Sequence, residues 1–255
     1  MMSAELESIV GFLDGLLDVG THPDYRTALN GLQVGGPDEV NVVVSAVDTS
    51  EATISAAVDE GADLLVVHHG AFWGGLEPLV GRHYRRVRAL VANDIALYSA
   101  HLPLDAHPEF GNCALLMRAL GLDPDARFGE YEGAPIGWRT STSGLSLDEL
   151  SHRLSGALGN GDVKVIAGAG PSAGEVAVVT GGGGSFIGDA ARAGIDTLVT
   201  GEGAHHTFTD AHELGVNVLY GGHYATETFG VRALGDELAR RFGVTHTFVD
   251  VPSGL

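Results

Sequence analysis

Residues 62–70 read ADLLVVHHG, and this stretch indicates how the chain folds. Four consecutive apolar residues are followed directly by His68 and His69, and Gly61 and Gly70 flank the run. An uninterrupted apolar run of this length is typical of a parallel strand that is buried on both faces. Ligands of α/β proteins bind outside the carboxyl ends of such strands, so the two histidines are candidate functional residues.

The neighbouring segments extend this strand into an α/β sheet. Residues 40–47 form a second apolar, β-branched run, and residues 48–50 follow it with side chains that cap helices, so a helix is predicted to reach Glu60. Residues 94–100 form a third apolar segment, which ends at His101. Strand, helix and strand in succession predict a right-handed βαβ unit with parallel strands.

The segment before these strands, residues 24–36, is predicted to be a loop. Asn30-Gly31 and Gly35-Gly36 are turn-forming pairs. Asn30 and Gln33 could face a ligand, but turn formation is the simpler role for both. Other predicted elements are helices over residues 5–18, 84–91, 112–120 and 147–158 and strands over residues 136–141 and 163–167.

Composition narrows the functional class. The 255 residues include 33 acidic and 14 basic side chains, a formal net charge of −19, so a nucleic-acid-binding surface is not expected. A solvated acidic shell of this kind predicts a halophilic source. Cys113 is the single cysteine, which excludes an intramolecular disulfide. Neither a signal peptide nor a membrane-spanning run of ~20 residues is recognisable, so a cytoplasmic location is expected.

The second half of the chain repeats the design of the first. Residues 176–203 align without gaps with residues 43–70 at an offset of 133, and the correspondence resumes after a shorter connector at an offset of 122. The polar residues that coincide are His69 with Glu202, His101 with His223 and Asp105 with Glu227. The sequence therefore predicts an internal duplication, with the common pattern of βαβ units as the alternative explanation.

The polar residues at these strand ends share one chemistry. They are His68, His69, His101, Asp105, Glu202, His223 and Glu227. Imidazole and carboxylate groups without cysteine suit Zn, Mn, Fe, Co or Ni, and three to five of them suit one ion or a pair. Adjacent histidines at a strand end can each bind one ion of a pair that lies ~3.5–4 Å apart. The spacing of His223 and Glu227 places both on one helix face, where the carboxylate could bridge two ions.

A glycine run, Gly181 to Gly184, offers a competing interpretation. It lies between a predicted strand and a predicted helix, as phosphate-binding turns do, but it lacks the P-loop lysine and the dinucleotide-binding spacing. It is therefore either a tight turn that brings backbone close to the metal site or a nucleotide cradle. No nucleophile elbow is visible, so no organic cofactor site and no catalytic residue is assigned.

Four ordered motifs resemble those of the NIF-three-like family, the GTP cyclohydrolase I type 2 homologues. They are HHG at 68–70, HLPLDAHPEFGN at 101–112, TGEGAHH at 200–206 and GGHYATE at 221–227. The resemblance implies an α/β fold of two similar, intertwined lobes in three layers, with mixed, largely parallel sheets. The first lobe is predicted to cover residues 1–122 and the second 123–255, including a smaller layer at about 123–171, with the metal site between the lobes.

The resemblance also implies a dinuclear centre with two divalent metal ions per chain. By motif, His68 and Asp105 would bind one ion, His69 and His223 the other, and Glu227 would bridge them. His101 and Glu202 would lie close by, as groups behind the ligands or as substrate contacts. The expected assembly is a toroidal homohexamer, a trimer of dimers, with the metal sites facing an internal cavity.

The family name refers to opening of the guanine ring of GTP. A dinuclear site could support that hydrolysis, and the arginines of residues 82–88 could offset the triphosphate charge locally. The alternative is a metal-binding chaperone or storage protein that uses the same ligands without turnover. The sequence assigns no role to His205 and His206.

Overall fold

The computed structural model describes residues 3–254. Its strands are β1 (Ala4–Glu5), β2 (Gly31–Val34), β3 (Glu39–Val40), β4 (Val42–Asp48), β5 (Leu64–His69), β6 (Ala96–Ser99), β7 (Ala126–Tyr131), β8 (Ala134–Ser141), β9 (Lys164–Ile166), β10 (Glu175–Val178), β11 (Thr197–Thr200), β12 (Asn217–Tyr220) and β13 (Thr245–Phe248). Its α-helices are α1 (Leu6–Leu17), α2 (Glu51–Asp59), α3 (Gly81–Ala92), α4 (Leu102–Ala106), α5 (Asn112–Ala119), α6 (Leu147–Ala157), α7 (Ile187–Arg192), α8 (Thr207–Leu214), α9 (His223–Thr226) and α10 (Thr228–Phe242).

The described residues divide into two compact units. Unit 1 comprises residues 3–104 and 230–251, and unit 2 comprises residues 105–229 and 252–254. The predicted boundary between the lobes was at residue 122, and the C-terminal segment was predicted to belong to the second lobe. The segment instead returns to unit 1 because β13 pairs in parallel with β4. Among residues 3–254, none of the helices combines the length and the apolarity that crossing a membrane requires.

The sheet of unit 1 is centred on β5, the strand of the ADLLVVHHG stretch. The strand order is β13-β4-β5-β6-β2, and every pair is parallel except β6 with β2. All four apolar side chains of β5 are completely buried, as a central strand covered on both faces requires. His68 and His69 therefore lie at the carboxyl end of the sheet, as the sequence predicted.

The sheet of unit 2 is mixed. Its order is β7-β8-β10-β11-β12-β9, and parallel pairing is confined to the three strands β10, β11 and β12. The antiparallel strands β7, β8 and β9 come from the segment that the sequence set apart as a smaller layer. The structure thus confirms a mixed α/β fold with mixed sheets.

The predicted duplication is visible in the strand register. Val43 pairs with Leu64 in unit 1, and Val176 pairs with Thr197 in unit 2, which reproduces the offset of 133. A carboxylate repeats with it: Asp63 accepts the backbone N–H of Val42 at 3.0 Å, and Asp196 accepts that of Glu175 at 2.8 Å. Equivalent hydrogen bonds at equivalent positions are not required by the common pattern of βαβ units, so they favour duplication as the explanation.

The second block of the alignment needs a correction of one residue. Ala96 pairs with Leu64 and Asn217 pairs with Thr197, so the strands β6 and β12 correspond at an offset of 121 instead of 122. The extra residue of the second half lies in the turn between the end of β12 and His223. An alignment that matches the polar residues shifts by one residue and so hides the insertion, whereas the backbone pairing of the strands reveals it.

The predicted loop over residues 24–36 is wrong for part of its second half. Residues 31–34 form β2, an edge strand that pairs antiparallel with β6. The strand is short and is flanked by the turn-forming glycines, so local sequence favoured a loop. Long-range pairing with an existing sheet overrides that preference.

Candidate metal centre

Three histidines of unit 1 lie together at the carboxyl ends of β5 and β6. His68 and His69 end β5, His101 follows β6, and one ring nitrogen of each lies within 4.8 Å of those of the other two. The ring centroids are 4.7 to 5.6 Å apart. Neighbouring parallel strands end at the same edge of a sheet, which explains why residues more than thirty positions apart meet here. We call these three residues the histidine cluster.

Each imidazole of the histidine cluster is held through its Nδ1 atom. Nδ1 of His68 lies 2.8 Å from the carbonyl oxygen of Ala100, and Nδ1 of His69 lies 2.8 Å from a carboxylate oxygen of Asp48. Nδ1 of His101 lies 2.8 Å from a carboxylate oxygen of Asp24. Because these oxygens only accept hydrogen bonds, Nδ1 carries the proton and Nε2 is the nitrogen with a lone pair to offer a metal.

Asp24 organises the loop beside His101. Its second carboxylate oxygen accepts hydrogen bonds from the Asn30 amide at 2.8 Å and from the backbone N–H of Leu102 at 2.9 Å. Asn30 in turn accepts the backbone N–H of His101 at 2.7 Å. Burial acts to raise the pKa of Asp24, but the hydrogen bonds and the nearby His101 outweigh it and lower that pKa. The turn residue predicted at position 30 thus also supports the site.

The carboxylates that are candidate metal ligands belong to unit 2. Asp105 on α4 and Glu227 at the end of α9 are both buried, and one oxygen of each lies within 4.8 Å of the other. The Oδ1 atom of Asp105 accepts hydrogen bonds from the Asn112 amide at 2.8 Å and from the Thr180 hydroxyl at 3.1 Å. Two carboxylates out of solvent and close together are stable only when cations, protons or hydrogen-bond donors compensate them.

His223, the first residue of α9, contacts a carboxylate through each ring nitrogen. Its Nε2 atom lies 3.2 Å from Glu227, and its Nδ1 atom lies 2.8 Å from Glu202. The hydrogen bond to Glu227 and its charge, together with the hydrogen bond to Glu202 and its charge, outweigh the effect of burial and raise the pKa of His223 to about 9. A divalent cation at Nε2 would replace the proton that His223 and Glu227 share, because metal ligands bind in their deprotonated form.

The glycine run is a tight turn beside these ligands. Gly181 has φ of 61°, and a Cβ atom built on it would collide with Oε1 of Glu227. A Cβ atom on Gly201 would lie 2.7 Å from the Cα atom of His223. Any side chain at either position would displace the ligands. The structure therefore favours the tight-turn interpretation over the nucleotide cradle.

The structure thus distributes the seven candidate residues over two groups. The histidine cluster belongs to unit 1, whereas Asp105, Glu202, His223 and Glu227 belong to unit 2. His205 and His206 lie exposed before α8, and His206 comes within 3.8 Å of Asp210.

Sequence reasoning missed several residues that hold the candidate ligands. They are Asp24, Asp48, Asn112 and Thr180. Asp48 had a usable signal, because it ends β4 and pairs in register with His69 across the parallel sheet. The capping predicted for residues 48–50 is performed by Ser50, which caps α2, and not by Asp48. Asp24 had no such signal, since it lies in a loop distant along the chain from His101.

Comparison with known proteins places these motifs in a family. The sequence profile of Duf34/NIF3 (NGG1p interacting factor 3) matches residues 4–253. The chain is 49% identical over 237 residues to a GTP cyclohydrolase 1 type 2 homolog of Halobacterium salinarum, covering 91% of this chain and 93% of that one. It is 43% identical over 251 residues to the protein of that name from Deinococcus radiodurans, covering 98% and 94%. A crystal structure of a Thermus thermophilus protein superposes with a TM-score of 0.87 at 39% identity, covering 99% and 100%. The chain belongs to the Duf34/NIF3 family.

Proposed function

We propose that the chain is a dinuclear metalloprotein that binds two divalent ions. His68 and Asp105 are the proposed ligands of one ion, His69 and His223 are the proposed ligands of the other, and Glu227 is shared. Imidazole nitrogens and carboxylate oxygens form a donor set for Zn, Mn, Fe, Co or Ni. Two carboxylates and three neutral imidazoles leave a surplus of positive charge around two divalent ions, which suits an anionic substrate on an acidic protein.

One observation carries this proposal. All three proposed histidine ligands, and His101 beside them, have Nδ1 held at 2.8 Å by a carboxylate or a backbone carbonyl. Metal-binding histidines are oriented in this way, because the hydrogen bond fixes the ring and raises the basicity of the coordinating nitrogen. Four histidines with the same arrangement support a metal site more strongly than their spacing in the sequence does.

The proposed reaction is metal-assisted hydrolysis, with ring opening of GTP as the specific candidate. The names of the two relatives support this choice. Divalent ions would supply the polarisation of an electrophile and the activation of water. The protein would keep His69 and His223 fixed through Asp48 and Glu202, and would hold Asp105 through Asn112 and Thr180.

Metal analysis of the purified protein tests the ligand set. We expect about two ions per chain in the wild type and loss of metal in Asp105→Ala, because removal of a buried carboxylate removes both a ligand and its charge. Asp148→Asn, a change at an exposed position of α6, is the matched control and should keep its metal. Full metal content in a folded Asp105→Ala protein would contradict the assignment.

Incubation with GTP tests the reaction separately. The protein loaded with Mn, Fe or Zn should release a ring-opened product that mass spectrometry detects, and Asp105→Ala should not. Metal-loaded protein that yields no product with any of these ions would favour a metal chaperone or storage protein.

We further propose that the chain assembles as a homohexamer. Several large apolar side chains are exposed on and before α3, namely Leu76, Leu79, Val80, Tyr84 and Val91. Clustered apolar exposure of this kind is typical of contact surfaces between chains.

A further inference from the structure

Two aromatic side chains stand beside the histidine cluster in unit 1. The ring of Trp73 lies 4.8 Å from that of His101 at a near-perpendicular angle, and 5.9 Å from that of His69. The ring of Tyr25 lies 5.9 Å from that of His101 and 6.2 Å from that of Trp73. We call Tyr25 and Trp73 the aromatic wall.

The loops that carry the aromatic wall are fixed by hydrogen bonds. Gln33 joins them, because its amide oxygen accepts the N–H of Ala71 at 2.8 Å while its amide nitrogen donates to the carbonyls of Ala28 and Leu29. Asp24 accepts the backbone N–H of Tyr25 at 2.6 Å with the same oxygen that holds His101. The wall and the histidine cluster thus share one rigid support, which is the arrangement of a preorganised binding site.

The exposure of the wall gives a ligand a surface to bind. Tyr25 is half exposed, although hydrogen bonds to Asp24 and from Gln33 hold the loop that carries it. A half-exposed aromatic side chain that is held in place presents apolar ring surface on which a planar molecule can stack.

We infer that the aromatic wall is the subsite for a planar heteroaromatic ring of the substrate, which stacks on Tyr25 and Trp73. Aromatic side chains bind such rings through their π-faces with little regard to the exact base. This inference rests on the proposed metal function, because it assigns the part of the same site that holds the substrate. It identifies residues that determine specificity, whereas Asp105, His223 and Glu227 determine metal binding.

The test is nucleoside binding to metal-loaded protein. Guanosine and adenosine are the planar probes, and ribose, which is uncharged like them, is the probe without a base. Calorimetry should show that both nucleosides bind and that Trp73→Leu weakens them about tenfold, the usual loss of one stacking partner. Trp73→Phe, which keeps a smaller aromatic ring, should lie between Trp73→Leu and the wild type.

Fluorescence gives a second readout. The chain has two tryptophans, so Trp138→Phe leaves Trp73 as the single emitter, and guanosine should quench it. Trp138→Phe is also the matched control in calorimetry and should bind guanosine like the wild type. Nucleoside affinity that is unchanged in Trp73→Leu, or no greater than that of ribose, overturns the inference.

Metal content separates this test from that of the proposed function. Trp73→Leu should retain the metal of the wild type. Metal-loaded protein that binds no nucleoside contradicts the aromatic subsite and leaves the metal assignment intact. If the wild-type protein binds nucleosides but holds no metal, the aromatic subsite is supported and the proposed function is contradicted.

Discussion

Asp48, Asp24 and Glu202 each hold one histidine by Nδ1 at 2.8 Å. None of these carboxylates is a proposed ligand, yet each decides which ring nitrogen can meet a metal. A carboxylate behind an imidazole also increases its electron density, which strengthens the bond to the ion. At the scale of single residues, the candidate centre therefore extends one layer beyond its ligands.

Replacement of Asp48 by Asn tests this layer. The amide keeps an oxygen acceptor for Nδ1 of His69 but lacks the negative charge, so we expect metal affinity to fall about tenfold. Competition with a chelator measures the affinity. Asp59→Asn, at an exposed position of α2, is the control and should not change it. Equal affinities in both variants would show that Asp48 does not support the site.

At the scale of elements, β4, β13 and α10 of unit 1 are joined by a polar contact that resembles a catalytic triad. The Ser45 hydroxyl on β4 lies 2.8 Å from Nε2 of His246 on β13, and Nδ1 of His246 lies 2.9 Å from Asp236 on α10. Distances of this size are required of a nucleophile and its base. Ser45 is completely buried, however, so no substrate can reach it. The contact joins three elements and is structural.

Ser45→Ala should therefore reduce stability and leave metal content unchanged. The change leaves the buried Nε2 of His246 without its partner, and we expect the free energy of unfolding to fall by about 1–3 kcal/mol. Urea denaturation measures the loss. Ser8→Ala, in which an exposed hydroxyl of α1 is removed, should lie within about 0.5 kcal/mol of the wild type. A Ser45→Ala protein as stable as the wild type would show that the contact adds nothing.

At the scale of the whole molecule, the duplicated strands of the two units end in different candidate residues. Units 1 and 2 share the strand register, but the candidate residues of unit 1 are three histidines, whereas those of unit 2 are three carboxylates and one histidine. All the carboxylates of the proposed ligand set thus come from unit 2.

The proposed assembly is tested by mass in solution. Light scattering on the purified protein should give about six times the chain mass of 26.4 kDa. Association would bury the exposed apolar side chains near α3, which is the physical reason to expect it. The mass of a single chain at micromolar concentration would contradict the hexamer.

The sequence by itself predicted the elements whose signal is local. The ADLLVVHHG strand, the helices over 5–18 and 147–158 and the strand before His101 all appear, because apolar periodicity and caps report burial directly. It also predicted the duplication, since the repeated segment keeps both apolar and polar positions. The strands at 31–34, 126–131 and 245–248 were not predicted, because their stability comes from pairing with distant strands.

Types of candidate ligand were likewise readable from the chain, because imidazoles and carboxylates after apolar strands have few structural uses. Only the tertiary structure decided how they are oriented. Asp24 meets His101 across 77 positions, and Thr180 meets Asp105 across 75. No local pattern encodes such contacts, because they depend on which loops the sheets bring together. The sequence determined the chemistry that the site can hold, and the fold determined which nitrogen and which oxygen are available for it.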